Sequence, residues 1–223
     1  MRLPTWKVEE ELIRENQLAI GIDEAGRGPL AGPVVAVAVW IEPDFFHKAS
    51  ENSKEFGKEQ LNLIRDSKTL SAKQRERAFD FMIKNTNFHF GVGQCSPREI
   101  DRLNILGATF LAMRLAVDDL LDGLENKAEK DGLEPVLLID GNREIAKVPW
   151  RQKTFVGGDG LVFSIAAASI FAKVTRDKMM VDFHQKYPLY GFSRHKGYGT
   201  KAHYEALKEL GPCFIHRRSF RLS

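Results

Sequence analysis

At 223 residues the chain is long enough for one well-packed domain with an appendage. A composition of 43% hydrophobic and 28% charged residues is too apolar for disorder, and no apolar run approaches the roughly 20 residues a membrane helix needs. The net charge of +3 is mild, and two distant cysteines, Cys95 and Cys213, argue against a disulfide framework or a zinc site. The start, "MRLPTWKVEEELIREN", carries charges where a signal peptide has its apolar segment, so a cytoplasmic protein is expected.

Residues 18–23 form a short apolar run rich in Ile, which reads as a buried strand, and it ends on two acids, Asp23 and Glu24. A turn, "GRGPLAG", leads into a β-branched run over residues 34–41, with no room for a helix between, so the two strands are expected to pair antiparallel. Residues 52–60 are polar and loop-like. Ser71 is placed to cap a helix carrying Ala78, Phe79, Met82 and Ile83 on one side. "FHFGVGQCS" predicts a third strand. After Pro97 a long helix follows, with Ile105, Ala108, Thr109, Ala112, Leu115 and Ala116 on its apolar face, ended by "DGLENKAEKDG". "PVLLIDGN" repeats the opening theme as a strand closing on Asp140. "KTFVGGDG" is a last short strand and a turn into the helix of "LVFSIAAASIFAKVTRDKMMVDFHQKYP". Beyond Pro188 lie a glycine-rich loop and one more helix over about residues 201–210. Alternating strands and helices indicate an α/β layer structure with a mostly buried sheet. From Ser193 onward Lys, Arg and His are dense, the footprint expected where phosphates dock, or else a solvated basic tail.

Strands of an open α/β sheet deliver their last residues to the edge where ligands collect. Asp23, Glu24 and Asp140 all arrive there if the first and fourth strands run parallel. On the last long helix Asp177 falls on the stripe of Phe163, Ala166, Ile170, Val174 and Val181. A carboxylate on such a stripe is costly unless it is paired, with Lys173 or Arg176, or bound to a metal. Two carboxylates about 4 Å apart repel by about 4 kcal/mol at an effective dielectric of 20, so four converging acids require cations. Oxygen-only ligation selects Mg²⁺ or Mn²⁺, and such a cluster suits two-metal phosphodiester hydrolysis. Ser67, Ser164 and Ser169 have no evident base and read as cap or packing residues.

The glycines after the acids invite a dinucleotide-binding reading, but that requires a helix next, whereas Pro29, Gly32, Pro33 and a β-branched run follow. A loop with glycines can bring its backbone close to a ligand, and Arg27 can reach a phosphate or a sugar. With an RNA-containing substrate, the 2′-hydroxyl is the group to be inspected. Tyr198 is either a turn aromatic or a stacking platform among the basic residues His195, Lys196 and Lys201. Trp6, Trp40 and Trp150 read as packing residues. A module that holds nucleic acid without cutting it is the rival class, and it has no need of converging acids.

The blocks "GIDEAGRGPLAGPVVAVAV", "DSKTLS", "LLIDGN", "SIAAASIFAKVTRD" and "YGFSRHKGYGTKAHYEALKELGPCFIHRRSF" together resemble the type 2 ribonucleases H, the ribonuclease HII family, over about residues 18–220. The resemblance implies a ribonuclease H-like α/β fold, a five-stranded mixed sheet flanked by helices, with residues 1–187 as catalytic domain and residues 188–223 as its basic helical C-terminal extension. It implies a monomer that cleaves the RNA strand of RNA/DNA hybrids, and cleaves 5′ to single ribonucleotides in duplex DNA, leaving 3′-hydroxyl and 5′-phosphate ends. Removal of misincorporated ribonucleotides and of RNA primers would be its role. By the same resemblance Asp23, Glu24, Asp140 and Asp177 are the metal-binding carboxylates, holding two Mg²⁺ or Mn²⁺ ions with substrate bound. Gly26, Arg27 and Gly28 sense the 2′-hydroxyl, Tyr198 packs on the following deoxyribose, and Ser67 and Lys68 contact phosphate. A sliding clamp as further partner is left open. "AGRG" and the short N-terminus favour this family over its sister type, ribonuclease HIII. The chain departs from the pattern at Gly157, where a lysine is expected.

Overall fold

Two apolar runs joined by a tight Gly/Pro loop pack by folding back on each other, and β1 (Gln17–Ala25) and β2 (Val34–Ile41) do so, with Ile20 opposite Trp40 and Glu24 opposite Ala36. The computed structural model describes residues 3–51, 58–131 and 133–223. β3 (Phe88–Cys95) lies antiparallel beside β2, while β4 (Glu134–Asp140) runs parallel to β1 on its other side and β5 (Arg151–Phe155) parallel to β4. The order is β3-β2-β1-β4-β5, a five-stranded mixed sheet with β1 at its centre. The expected α/β architecture is the one observed.

The central strands are apolar on both faces because both are covered. Leu18, Ile20 and Ile22 pack with Leu137 and Ile139 against α5 (Pro97–Asp131). Ala19 packs with Val136 and Leu138 under the start of α6 (Phe163–Lys186), at Ile165. At Gly21 the helix comes so close that a Cβ would stand 2.3 Å from the backbone carbon of Ser164. That approach seats α6 directly on β1, so α6 can present side chains to the strand's end. α1 (Lys7–Arg14), α2 (Pro43–Glu51), α3 (Lys58–Leu61) and α4 (Ala72–Lys84) complete the α6 side. Glu9 of α1 accepts the N–H of Ser164 at 2.7 Å, supplying from outside the cap that α6 lacks at Val162.

Some expectations need correcting. Ser71 caps α4 in a full capping box with Gln74, and Ala78 and Met82 are buried, but Ile83 is 53% exposed because that last turn leaves the core. α5 continues to Asp131 rather than ending near residue 122, since Glu, Lys and Ala sustain a helix and one glycine costs only about 1 kcal/mol. It is broken instead at Asn104 (φ 59°, ψ 170°), whose Oδ1 caps the N–H groups of Leu106 and Gly107. The polar loop read over residues 52–60 lies, for residues 52–57, outside the described residues, and Lys58–Leu61 are helical.

After α6 the chain forms α7 (Phe192–His195) and α8 (Lys201–Leu210), and the tail returns to the 26–33 loop. Gly32 N–H donates to Ile215 O and Arg217 N–H to Leu30 O, both at 2.9 Å. The basic stretch is therefore not simply a surface: His203, His216 and Arg217 are buried. The imidazole nitrogens of His203 and His216 stand 3.0 Å apart, and burial holds both histidines below the usual range, His216 at about 4. Among the described residues no helix is long and apolar enough to cross a membrane.

Candidate active site

The last parallel pair of β1 and β4 is Ile22 with Ile139, so the next residues, Asp23 near the end of β1 and Asp140 at the end of β4, lie side by side on the same face. Glu24 follows on the other face at the same edge. All three line one cleft of about 240 Å³, together with Gly26, Arg27 and Gly28 of the loop after β1. Ser67 and Lys68 enter from the turn before α4, Tyr198 from the turn before α8, and Ser169 and Lys173 from α6. The turn at residues 67–70 is braced by Arg75, which donates to the carbonyls of Ser67 (2.7 Å) and Leu70 (2.5 Å).

Crowding sets the electrostatics. Burial first, then the charges of Glu24 and Asp140, push the Asp23 carboxyl well above the usual range, although Ser169 and the N–H of Glu24 (2.7 Å) donate to it. Glu24 is raised by burial and by Asp140, against the pull of Arg27, whose guanidinium lies 3.3 Å away, and of Lys68. Ser169, read as a packing residue, proves to be part of the cleft: its hydroxyl lies 2.9 Å from that of Ser67 and reaches Asp23.

A fourth acid belongs to this group, and sequence reading missed it. Asp140 Oδ1 accepts the N–H of Gly158 at 2.7 Å, which draws the glycine-rich turn to the strand end and brings in Asp159. Asp159 is buried, and its carboxyl is raised by burial, by Asp66 and by Asp140, against the pull of Lys68. Its Oδ2 lies 3.6 Å from the Lys68 ammonium and accepts no hydrogen bond. Burial works against the Lys68 charge, but Asp159, Asp23, Asp66 and Asp140 outweigh it and hold its pKa above the ordinary lysine value. The only signal in the sequence was an acid in "GGDG" at the mouth of a buried helix. Gly157, in place of the expected lysine, has φ +67° and open space at its α-carbon; the lysine beside this acid is Lys68.

The expected convergence of Asp177 is not what the structure displays. Ser169, Lys173 and Asp177 succeed one another at helical spacing, and the cleft is reached by the first two. One further turn, about 6 Å along the helix, puts Asp177 on the wall of the neighbouring cavity with Val174 and Lys178. There its Oδ1 accepts from Lys173 Nζ at 2.6 Å, the salt bridge weighed against metal binding in the sequence. The stripe argument fails because α6 is buried on every side from Phe163 to Ala172 and then emerges, leaving Val181 40% exposed.

The donor set suits a hard cation. Asp23, Glu24, Asp140 and Asp159 offer only carboxylate oxygens, one of them an orphan, and Asp23 is uncomfortable as an anion without a compensating charge. Among the described residues no three acidic, histidine or cysteine side chains already form a closed cage. Lys68, Arg27 and two backbone N–H groups now occupy the acids' oxygens.

Known proteins resemble this chain over most of its length. The family model described as Ribonuclease HII matches residues 20–223. Proteins named Ribonuclease HII from Burkholderia pseudomallei (strain 668) and Burkholderia thailandensis are each 48% identical, over 92% of this chain and 83% of theirs. Among solved structures, a PCNA:RNase HII complex from Archaeoglobus fulgidus matches with a TM-score of 0.62 at 22% identity, covering 92% of this chain and 96% of that one. Bst-RNase HIII in complex with Mn²⁺ matches with a TM-score of 0.69 at 18% identity, covering 93% and 68%. At such identities the structural likenesses speak for the fold.

Proposed function

The chain belongs to the ribonuclease HII family and is a ribonuclease H-class hydrolase; from that premise we propose that it cuts the RNA strand of RNA/DNA hybrids and nicks duplex DNA 5′ to an embedded ribonucleotide. The products are a 3′-hydroxyl and a 5′-phosphate, and the role is removal of ribonucleotides from DNA. The observation that carries the reading is the pair Asp23 and Asp140, side by side just past the last parallel pair of β1 and β4, with Glu24 in the same cleft and Asp159 close enough for the charge of Asp140 to act on it.

These four carboxylates, rather than a set including Asp177, would hold two Mg²⁺ or Mn²⁺ ions. Bound there, the ions would supply positive charge at the scissile phosphate and acidify the attacking water. The chain's own groups do the rest. Lys68, kept charged by its acidic neighbours, offers the approaching phosphate a cation at the exposed rim of the cleft. The Arg27 guanidinium, 53% exposed beside Glu24, would reach the substrate backbone from the cleft's loop. Ser169 and Ser67 hold Asp23 against rotation. Tyr198, 43% exposed and with its ring edge 3.8 Å from where a Cβ on Gly28 would stand, forms the wall on which the sugar after the ribonucleotide rests.

Incubation with a DNA duplex carrying one ribonucleotide, in Mg²⁺ and in Mn²⁺, tests this. Nicking on the 5′ side of the ribonucleotide, with the all-DNA duplex intact, is the expected result. Failure to cut in either metal would overturn the reading.

A further inference from the structure

Two arginines under the cleft's loop have no carboxylate partner in hydrogen-bond contact among the described residues, though both are buried. Such a charge is costly unless its donors are otherwise engaged. Here every hydrogen bond they donate goes to a main-chain carbonyl. Arg217 donates from Nε to Gly32 O (2.9 Å), from Nη1 to Arg27 O (2.9 Å), and from Nη2 to Gly26 O (2.5 Å) and Pro33 O (3.2 Å). Arg176, from α6, donates from Nε to Pro33 O (2.9 Å), from Nη2 to Ala31 O (3.1 Å) and from Nη1 to Lys196 O (3.1 Å). The two forks meet on the carbonyl of Pro33 and clasp two segments, the 26–33 loop and the turn leading to Tyr198. Gly26 is glycine for this reason: at φ +101° a Cβ there would stand 2.1 Å from Arg176 Nε.

In a trans peptide the carbonyl of one residue and the N–H of the next point in opposite directions, and no peptide bond in the chain is cis. With the carbonyls of Gly26 and Arg27 drawn inward to Arg217, the N–H groups of Arg27 and Gly28 turn outward. Both residues line the acid cleft, and among the described residues neither N–H meets a protein acceptor. Two fixed donors thus face the place where a sugar or phosphate oxygen would sit.

We propose that Arg176 and Arg217 are positioning residues for ribose recognition: by clasping the carbonyls of the 26–33 loop and of Lys196, they aim the N–H groups of Arg27 and Gly28 into the cleft and fix their distance from Tyr198. This rests on the ribonuclease reading and adds to it the element that sets the selectivity. The guanidinium fork is essential to the device, since a lysine keeps the charge but has no planar fork to span several carbonyls.

The test compares wild type, Arg217→Lys and Arg176→Lys, each first checked for a cooperative melt. Affinity is measured by fluorescence anisotropy, with Ca²⁺ in place of Mg²⁺, for a duplex with one ribonucleotide and for the all-DNA duplex of the same sequence. Amide hydrogen exchange at Arg27 and Gly28 is read in parallel. In the variants the preference for the ribonucleotide duplex should fall about ten-fold, the equivalent of one well-made hydrogen bond. Affinity for the all-DNA duplex should hold, and exchange at the two amides should change. A loss of affinity equal for both duplexes, or a folded variant with the wild-type preference, overturns the proposal; if Arg217→Lys does not fold, Arg176→Lys decides alone. A wild type that binds with preference but never cuts sinks the hydrolytic reading and not this one. A wild type that cuts yet binds without preference sinks this one alone.

Discussion

The ammonium of Lys68 stands 3.6 Å from Oδ2 of Asp159, a buried oxygen that accepts no hydrogen bond. The lysine is 80% exposed at its side chain and the acid 7%, so the pair joins an exposed cation lining the cleft to a buried anion behind it. Such a contact favours the ionised acid, against burial and the charges of Asp66 and Asp140 that raise its carboxyl, and its exposed side is open to exchange for another cation. Replacing Lys68 by Met removes one phosphate-facing charge. The slope of log kcat/KM against log salt should become shallower by about one, the contribution of a single phosphate contact. An unchanged slope would remove Lys68 from the substrate's path.

Asp159 and Asp177 make opposite demands. Asp159→Asn should lower kcat by about 100-fold or more, the scale of losing one charge-stabilising group at a reacting centre. Asp177→Asn only frees Lys173 from a part-exposed pair, so activity should stay within about three-fold of wild type and stability within about 0.5 kcal/mol. Steady-state rates on the single-ribonucleotide duplex compare them directly. An equal loss from both would return Asp177 to the ligand set.

Asp23 sets the pH dependence. Its carboxyl is raised in the folded chain above the ordinary value of 3.8, so the folded state binds more protons than the unfolded one over the interval between those two values. Stability therefore falls as pH rises through that interval, and the whole loss is present above it. Asp23→Asn should abolish turnover yet melt higher than wild type at pH 8, by about 2–4 °C per kcal/mol recovered, with no gain below pH 3.8. Millimolar Mg²⁺ or Mn²⁺ should raise the wild-type melting temperature and move the variant less. Calorimetry at two pH values, with and without metal, measures both effects; a lower melting temperature for the variant at pH 8 would contradict the crowding at this acid.

Tyr198 has its ring against Gly28 and 43% of its surface free. Tyr198→Ala should cost about ten-fold at an embedded ribonucleotide, within the range of one lost stacking contact. Long hybrids, where no single sugar decides the register, should be cut nearly as well as before. Equal losses on the two substrates would leave the tyrosine a packing role only.

Much of this was legible in the residues. Continuous apolar runs ending in acids located β1 and β4, and the absence of space for a helix between Glu24 and Val34 made β1 and β2 antiparallel. Asp23, Glu24 and Asp140 followed, because a strand end is fixed by the sheet. Asp159 did not, since it sits in a glycine turn without periodicity and is brought in by one hydrogen bond from Gly158 to Asp140. Asp177 misled because a helix buried all round has no stripe to read, so the face of α6 that meets the cleft depends on how closely Gly21 admits it. Arg176 and Arg217 were invisible for another reason: a charged side chain satisfied by carbonyls distant in sequence looks like any surface arginine.

Asp23 and Asp140 depend on parity. Side chains along a strand alternate, so deleting a single residue from β1 or β4 would send the acid beyond it to the α5 side. The connections outside those two strands are under no such count and can lengthen at the cost of only a slowly growing closure entropy. Length variation among relatives should therefore gather in those connections and spare the two arithmetic runs that end in Asp23 and Asp140.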